Sequence, residues 1–244
     1  MKILNRGVLP VVMALCGMVF LITVATTITL NTRALYVHDM KKYDLAKLTG
    51  YSEEEILQNY DQLISYNSML NEEELLTLPT LPQSDNARIH FMEVKKIFVN
   101  FQLAGIVTGG LLVFYYGISQ MSKWKNQNKA RWLSKGSKEE LAAKAVRERM
   151  ARSLKLTGLF SVIIPAVFGG AIALNWDWAF VTFHHIMFDN DYWIFDYRTD
   201  PIIDMLPDEY FMHCAIMIIA IVVAASVICY LIGKKIATKL ASEE

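Results

Sequence analysis

Four uninterrupted apolar blocks dominate the pattern along the chain, at 7–30, 97–119, 156–174 and 211–233. None of them holds an Asp, Glu, Lys or Arg. A hydrocarbon layer of roughly 30 Å takes about 20 residues of helix to cross. Soluble helices alternate apolar and polar faces and rarely run this far without charge. The pattern therefore predicts an all-α membrane protein, one membrane domain over 1–244, with four transmembrane helices. Pro10 and Pro165 fall inside spans, where neighbours can re-satisfy a kinked backbone. Gly105, Gly109, Gly110, Gly169 and Gly170 predict close helix contacts. The first block follows Lys2 and Arg6 but is too long for a signal peptide's apolar core of about 7–15 residues. It reads as an uncleaved anchor. Cys16, Cys214 and Cys229 all lie in apolar blocks, so no disulfide framework is expected.

Charge supplies an orientation. Segment 121–155 holds eleven Lys and Arg against three acids, and Lys234, Lys235 and Lys239 follow the last span. Together with Lys2 and Arg6, that side carries sixteen of the twenty-four basic residues. The positive-inside rule places it, and both termini, in the cytoplasm of a multi-pass plasma-membrane protein. The basic segment is thus a topology signal that can also attract anionic lipids, and no nucleic-acid partner is expected. Ser137 with Glu140 predicts a surface helix over 138–152. Segments 31–96 and 175–210 then lie outside and form a helical extracytoplasmic cap. They hold nineteen acids and eight basic residues, and all five histidines fall on this side.

In the first outside segment, Gly50 ends one short helix and the Ser52/Glu55 capping box opens the next, over about 53–66. Asn71 with Glu74 carries a similar signature. Pro79 and Pro82 break the chain. Asp85 or Asn86 can cap a helix that continues through His90 into the second span. His90 lies about 10 Å before the apolar block, at headgroup depth, and shares a helix face with Glu93. Eleven of the chain's twenty-eight aromatic residues fall from Trp176 to Phe211, through the second outside segment and onto the first residue of the last apolar block. An interfacial belt accounts for Trp176 and Trp178. It does not account for the polar residues within FHHIMFDNDYWIFD. As a helix, His184 shares a face with Phe180, Val181 and Phe188. Asp200 can cap a turn that begins at Pro201 and ends at Pro207.

A polar cluster at membrane depth is costly and points to function. His90 and His184, on separate outside segments, are the candidate pair. His38 and His213 lack supporting neighbours and read as structural, and His185 is ambiguous beside His184. Three chemistries fit. Imidazole can take and return a proton near neutral pH. His90, Glu93, His184 and an aspartate can ligate zinc, although no close metal spacing is present. A scaffold can use histidines only to bond loops together. No GxSxG elbow and no outside cysteine are present.

Three stretches carry a resemblance: TRALYVHDMKKYDLAKLTGYSEEEILQNYDQLISY, RIHFMEVKKIF and FHHIMFDNDYWIFDYRTDPIIDMLPDEYF. The chain resembles the lipoprotein intramolecular transacylase family of Gram-positive bacteria through almost its whole length. It departs from the family pattern at Met187, at Tyr197 and at Asp208 to Phe211, but keeps Asn190-Asp191-Tyr192-Trp193. The resemblance implies that one fatty acyl chain, at sn-2, moves from the glyceryl group of an S-diacylglyceryl cysteine to that cysteine's α-amine. The partners would be a diacylated lipoprotein and membrane lipids. His90 and His184 match the family's two histidines. Arg33, Tyr43, Glu93, Asp191 and Trp193 become candidate substrate contacts, with no metal and no cofactor expected.

Overall fold

The computed structural model describes residues 7–130 and 137–242. Lys2, Arg6, Arg131 and Lys135, part of the orientation argument, lie outside the described residues. The described chain is helical, without a strand: α1 (Leu9–Leu30), α2 (Arg33–Lys42), α3 (Leu45–Thr49), α4 (Glu53–Tyr66), α5 (Asp85–Ala130), α6 (Lys138–Leu174), α7 (Trp176–Met187), α8 (Ile202–Met205) and α9 (Asp208–Ala241). Of these, α1, α5, α6 and α9 are long and apolar enough to cross a membrane. Three outrun their apolar blocks, and α9 runs on through Gly233 at the end of its block. The predicted surface helix 138–152 is accordingly the first part of α6. Ser137 Oγ accepts from the Glu140 N–H at 3.3 Å at its start.

The chain divides into two compact units. The first comprises the chain to Val24, 104–166 and 220 onward. Its outer face is apolar, with Val113, Phe114, Ile163 and Leu231 uncovered, as lipid-facing side chains are. Hydroxyls at depth bond their own helix, Ser226 to the Val222 carbonyl at 2.6 Å and Thr108 to the Ala104 carbonyl at 2.6 Å. A Cβ at Gly158 would lie 2.5 Å from the Ser226 carbonyl oxygen, and one at Gly233 would lie 2.8 Å from that of Ala151. These two glycines, which the glycine pattern did not single out, let α6 and α9 touch backbone to backbone. Gly105 and Gly109 do face neighbours, Thr23 and Phe20. Gly110 and Gly170 face open space, and Gly169 is in ordinary contact with Ile219.

The second unit comprises 25–103 and 167–219. Its core gathers Tyr36, Met40, Ile56, Tyr60, Leu76, Ile202, Met205 and Tyr210. Tyr36 and Tyr60 stack at 3.7 Å, with Tyr210 edge-on to both. Their hydroxyls are spent inside: Tyr36 donates to the Met205 carbonyl at 2.8 Å, and Tyr60 and Tyr210 share a 3.0 Å bond. Gly50 closes α3 at φ 77°, the left-handed region open to glycine, and the Ser52/Glu55 box opens α4.

Three local expectations change. No helix follows Asn71. Its Oδ1 accepts from the Glu73 N–H, and Lys95 Nζ binds the Asn71 and Glu73 carbonyls, which holds a loop instead. Ser84, not Asp85 or Asn86, caps α5, accepting from the Ala87 N–H at 3.1 Å. Asp200 does not cap α8 with its side chain; it accepts from the Ser84 N–H at 2.7 Å and so ties the two segments together.

Candidate active site

The site lies in the second unit, where two anchored helix ends meet one loop. Ser84 and Asp200 fix the start of α5, and His90 follows within its first two turns. Asn175 Oδ1 accepts from the Trp178 N–H at 2.9 Å and fixes the start of α7. His184 sits in the last turn of α7, which ends as Phe188 turns extended. Beyond it, Asn190 Oδ1 accepts from the Tyr192 N–H, and the Ile194 N–H donates to the Asp191 carbonyl. These turns bring Trp193 back over His184, with ring centroids 4.6 Å apart and planes at 29°. The His90 and His184 rings are 6.1 Å apart. Phe188 at 4.7 Å and Phe195 at 5.5 Å wall His90, and Phe180 at 4.3 Å walls His184.

The electrostatics follow from this aromatic shell, which lies outside apolar block 97–119. Burial, helped by the His184 ring, pushes His90 down to about 4. Burial also lowers His184. The Phe180 carbonyl opposes that lowering, His185 adds to it, and Asp208 opposes it. Charged imidazolium is disfavoured where water is excluded, so both rings are neutral near pH 7. A carbonyl oxygen only accepts, so the 2.8 Å contact between His184 Nδ1 and the Phe180 oxygen puts the proton on Nδ1. Nε2 of His184 then carries the lone pair. His90 Nδ1 and Trp193 Nε1 are buried without a protein partner.

Glu93, one turn after His90, accepts from Asn190 Nδ2 at 3.0 and 3.2 Å. His90, His184, Trp193 and Glu93 are thus brought together with Asn190. Arg33, Tyr43 and Asp191 make no hydrogen bond or ring contact with them. Arg33 pairs with Asp61 at 2.7 and 3.0 Å. Tyr43 packs against the tyrosine core, and Asp191 is exposed. Sequence reasoning had left Phe195 without a role and had not paired Asn190 with Glu93; nothing local marks such cross-segment partners. His185 is exposed, edge-on to Trp193 at 5.5 Å. His213 is not without neighbours: its Nδ1 lies 2.8 Å from Oδ2 of the fully buried Asp39. Among the described residues, no group of three His, Cys, Asp or Glu could hold a metal ion.

The family model of the lipoprotein intramolecular transacylase Lit matches residues 11–211 of this chain. The chain belongs to the lipoprotein intramolecular transacylase family. It is a membrane-integral acyltransferase, and the family name implies a lipoprotein substrate. The fold agrees. The structure of the membrane integral lipoprotein intramolecular transacylase Lit from Bacillus cereus shares 30% identity, covers 98% of each chain and superposes with a TM-score of 0.77. Two further structures of the same protein carry one histidine replaced, by arginine (TM-score 0.72) or by alanine (0.73). Each again shares 30% identity, the first covering 99% of this chain and 95% of that one, the second 97% and 94%. No curated protein matches the chain in a sequence search.

Proposed function

We propose that the chain moves the sn-2 acyl group of an S-diacylglyceryl cysteine onto the same residue's α-amine, with His184 as general base. The observation that carries this is the tautomer: Nδ1–H is held by the Phe180 carbonyl, and Nε2 is left as a base in a half-buried aromatic pocket. Its lowered pKa keeps it unprotonated at neutral pH. In the reaction, the amine nitrogen bonds to the ester carbonyl carbon and gives its proton to Nε2. The carbon–oxygen bond to glycerol breaks, and the same proton passes to the glyceryl oxygen. Nucleophile and ester belong to one molecule, so holding them together supplies much of the acceleration.

His90 serves the carbonyl oxygen as charge develops there. A proton on its buried, unpartnered Nδ1 would be an orphaned donor, rarer in proteins than an under-satisfied acceptor. That favours the tautomer with Nε2–H available to the oxyanion. Histidine-replaced structures of the Bacillus cereus relative are in keeping with a histidine at the centre of interest. Trp193 and the phenylalanines would cradle acyl chain, while Arg33, Tyr43 and Asp191 are assigned to outer parts of the substrate. Charge asymmetry supports both termini in the cytoplasm and the site on the extracytoplasmic face, within a single membrane domain.

The test uses purified protein and a diacylated lipopeptide labelled only in its sn-2 chain. The label is expected on nitrogen by tandem mass spectrometry. Label released as free fatty acid, or retained on glycerol, contradicts the reading.

A further inference from the structure

We propose that Glu93, steadied by Asn190, docks the free α-ammonium of the substrate and so makes the site take free-amine lipoproteins over N-acylated ones. The proposal rests on the acyl-transfer reading above.

Glu93 and His90 lie three residues apart on one face of α5. The carboxylate is half-buried. Asn190 Nδ2 reaches both of its oxygens, and no Lys or Arg pairs with it among the described residues. Lys95, two positions on, is spent on Asn71 and Glu73. One amide cannot satisfy a carboxylate, which has about four lone-pair sites. A half-buried carboxylate without a cation invites one, and charge-assisted bonds are the strong ones. The part of the substrate that must come closest to His184 is its amine, which rests as an ammonium and gives one proton to solvent before it attacks. Glu93 therefore meets the reacting end in its ground state. After transfer the nitrogen is a neutral amide, and the attraction is gone. Substrate capture and product release then follow from one carboxylate. Along the chain, its titratable neighbours are His90, Lys95 and Lys96 on α5, and Asp189 and Asp191 flank its partner Asn190; His184 of α7 faces His90.

The probes are ether-linked dialkyl lipopeptides, which lack an ester and cannot react, one with a free α-amine and one N-acetylated. Binding to the purified full chain in nanodiscs is measured by titration. The wild type is expected to prefer the free amine by about 10- to 100-fold at pH 6.5. The preference should fade as the pH passes the amine's own titration near about 8. Glu93→Gln keeps an oxygen for Asn190, and is expected to bind both probes alike. With the ester substrate it should raise KM more than it lowers kcat. Equal binding of both probes by the wild type overturns the proposal, and needs no variant. A full preference surviving in Glu93→Gln overturns it too. Phosphatidylethanolamine carries the same ammonium. Nanodiscs doped with it should leave the preference intact, and its abolition would assign the site to a headgroup instead. Because no probe can react, discrimination without acyl transfer in the labelled assay would fault the catalytic reading alone.

Discussion

Two histidine sites lie in the same compact unit and are built in opposite ways. His213 faces a carboxylate: Asp39, fully buried in α2, sits 2.8 Å from its Nδ1. That contact joins α2 to α9, and its partner is chosen by the protein. His90 and His184 face rings. Their neighbours are Phe188, Phe195, Phe180 and Trp193, and the hydrogen bond His184 makes goes to its own helix. A histidine whose partner is already supplied serves structure. One that is walled by rings, neutral and left with an unspent nitrogen is equipped for a reacting molecule.

Breaking each site in turn sharpens the contrast. His184→Ala should lower acyl transfer by about 10²- to 10⁴-fold, with an unchanged melting profile in detergent. Asp39→Ala should do the reverse. It removes the partner of His213 and costs about 1–3 kcal/mol of stability, read as a lower melting temperature, while the folded fraction turns over normally. The pH profile separates the sites more gently. Burial lowers both site imidazoles, so their own titration in the substrate-free protein, followed by the pH dependence of ring NMR shifts, should lie below the usual 6.5. Ring titration at or above 6.5 would mean the rings are not desolvated. The same sign applies to stability. The unfolded chain takes up protons at His90 near 6.5 and the folded chain only near 4, so the fold weakens as the pH falls through that window. Smallest of all, Arg33→Ala removes a solvent-screened pair with Asp61 and should leave the melting temperature almost unchanged.

The spans, the helical character and the two histidines that the fold brings together were legible because each leaves a local mark: an uncharged run, a capping box, a histidine in an aromatic setting. The Ser52/Glu55 box and Gly50 behaved as their spacing predicted. Asn71 did not, because Lys95 from α5 claims its carbonyl, and a bond across 24 positions has no local signature. The same limit hid the Asp39–His213 pair, 174 positions apart, and the Asn190–Glu93 bond, 97 apart. Gly158 and Gly233 were missed because a glycine's need for space is set by the helix opposite.

The most direct measurement is made in a bacterium that lacks its own N-acylating activity. The wild-type chain and His184→Ala are expressed in parallel, and lipoprotein N-terminal peptides are read by mass spectrometry. The wild type should give peptides with one acyl chain on the cysteine amine and one left on glycerol, and His184→Ala should leave both chains on glycerol and the amine free. N-acylation that persists in His184→Ala, with the variant folded and in the membrane, would contradict His184 as the base.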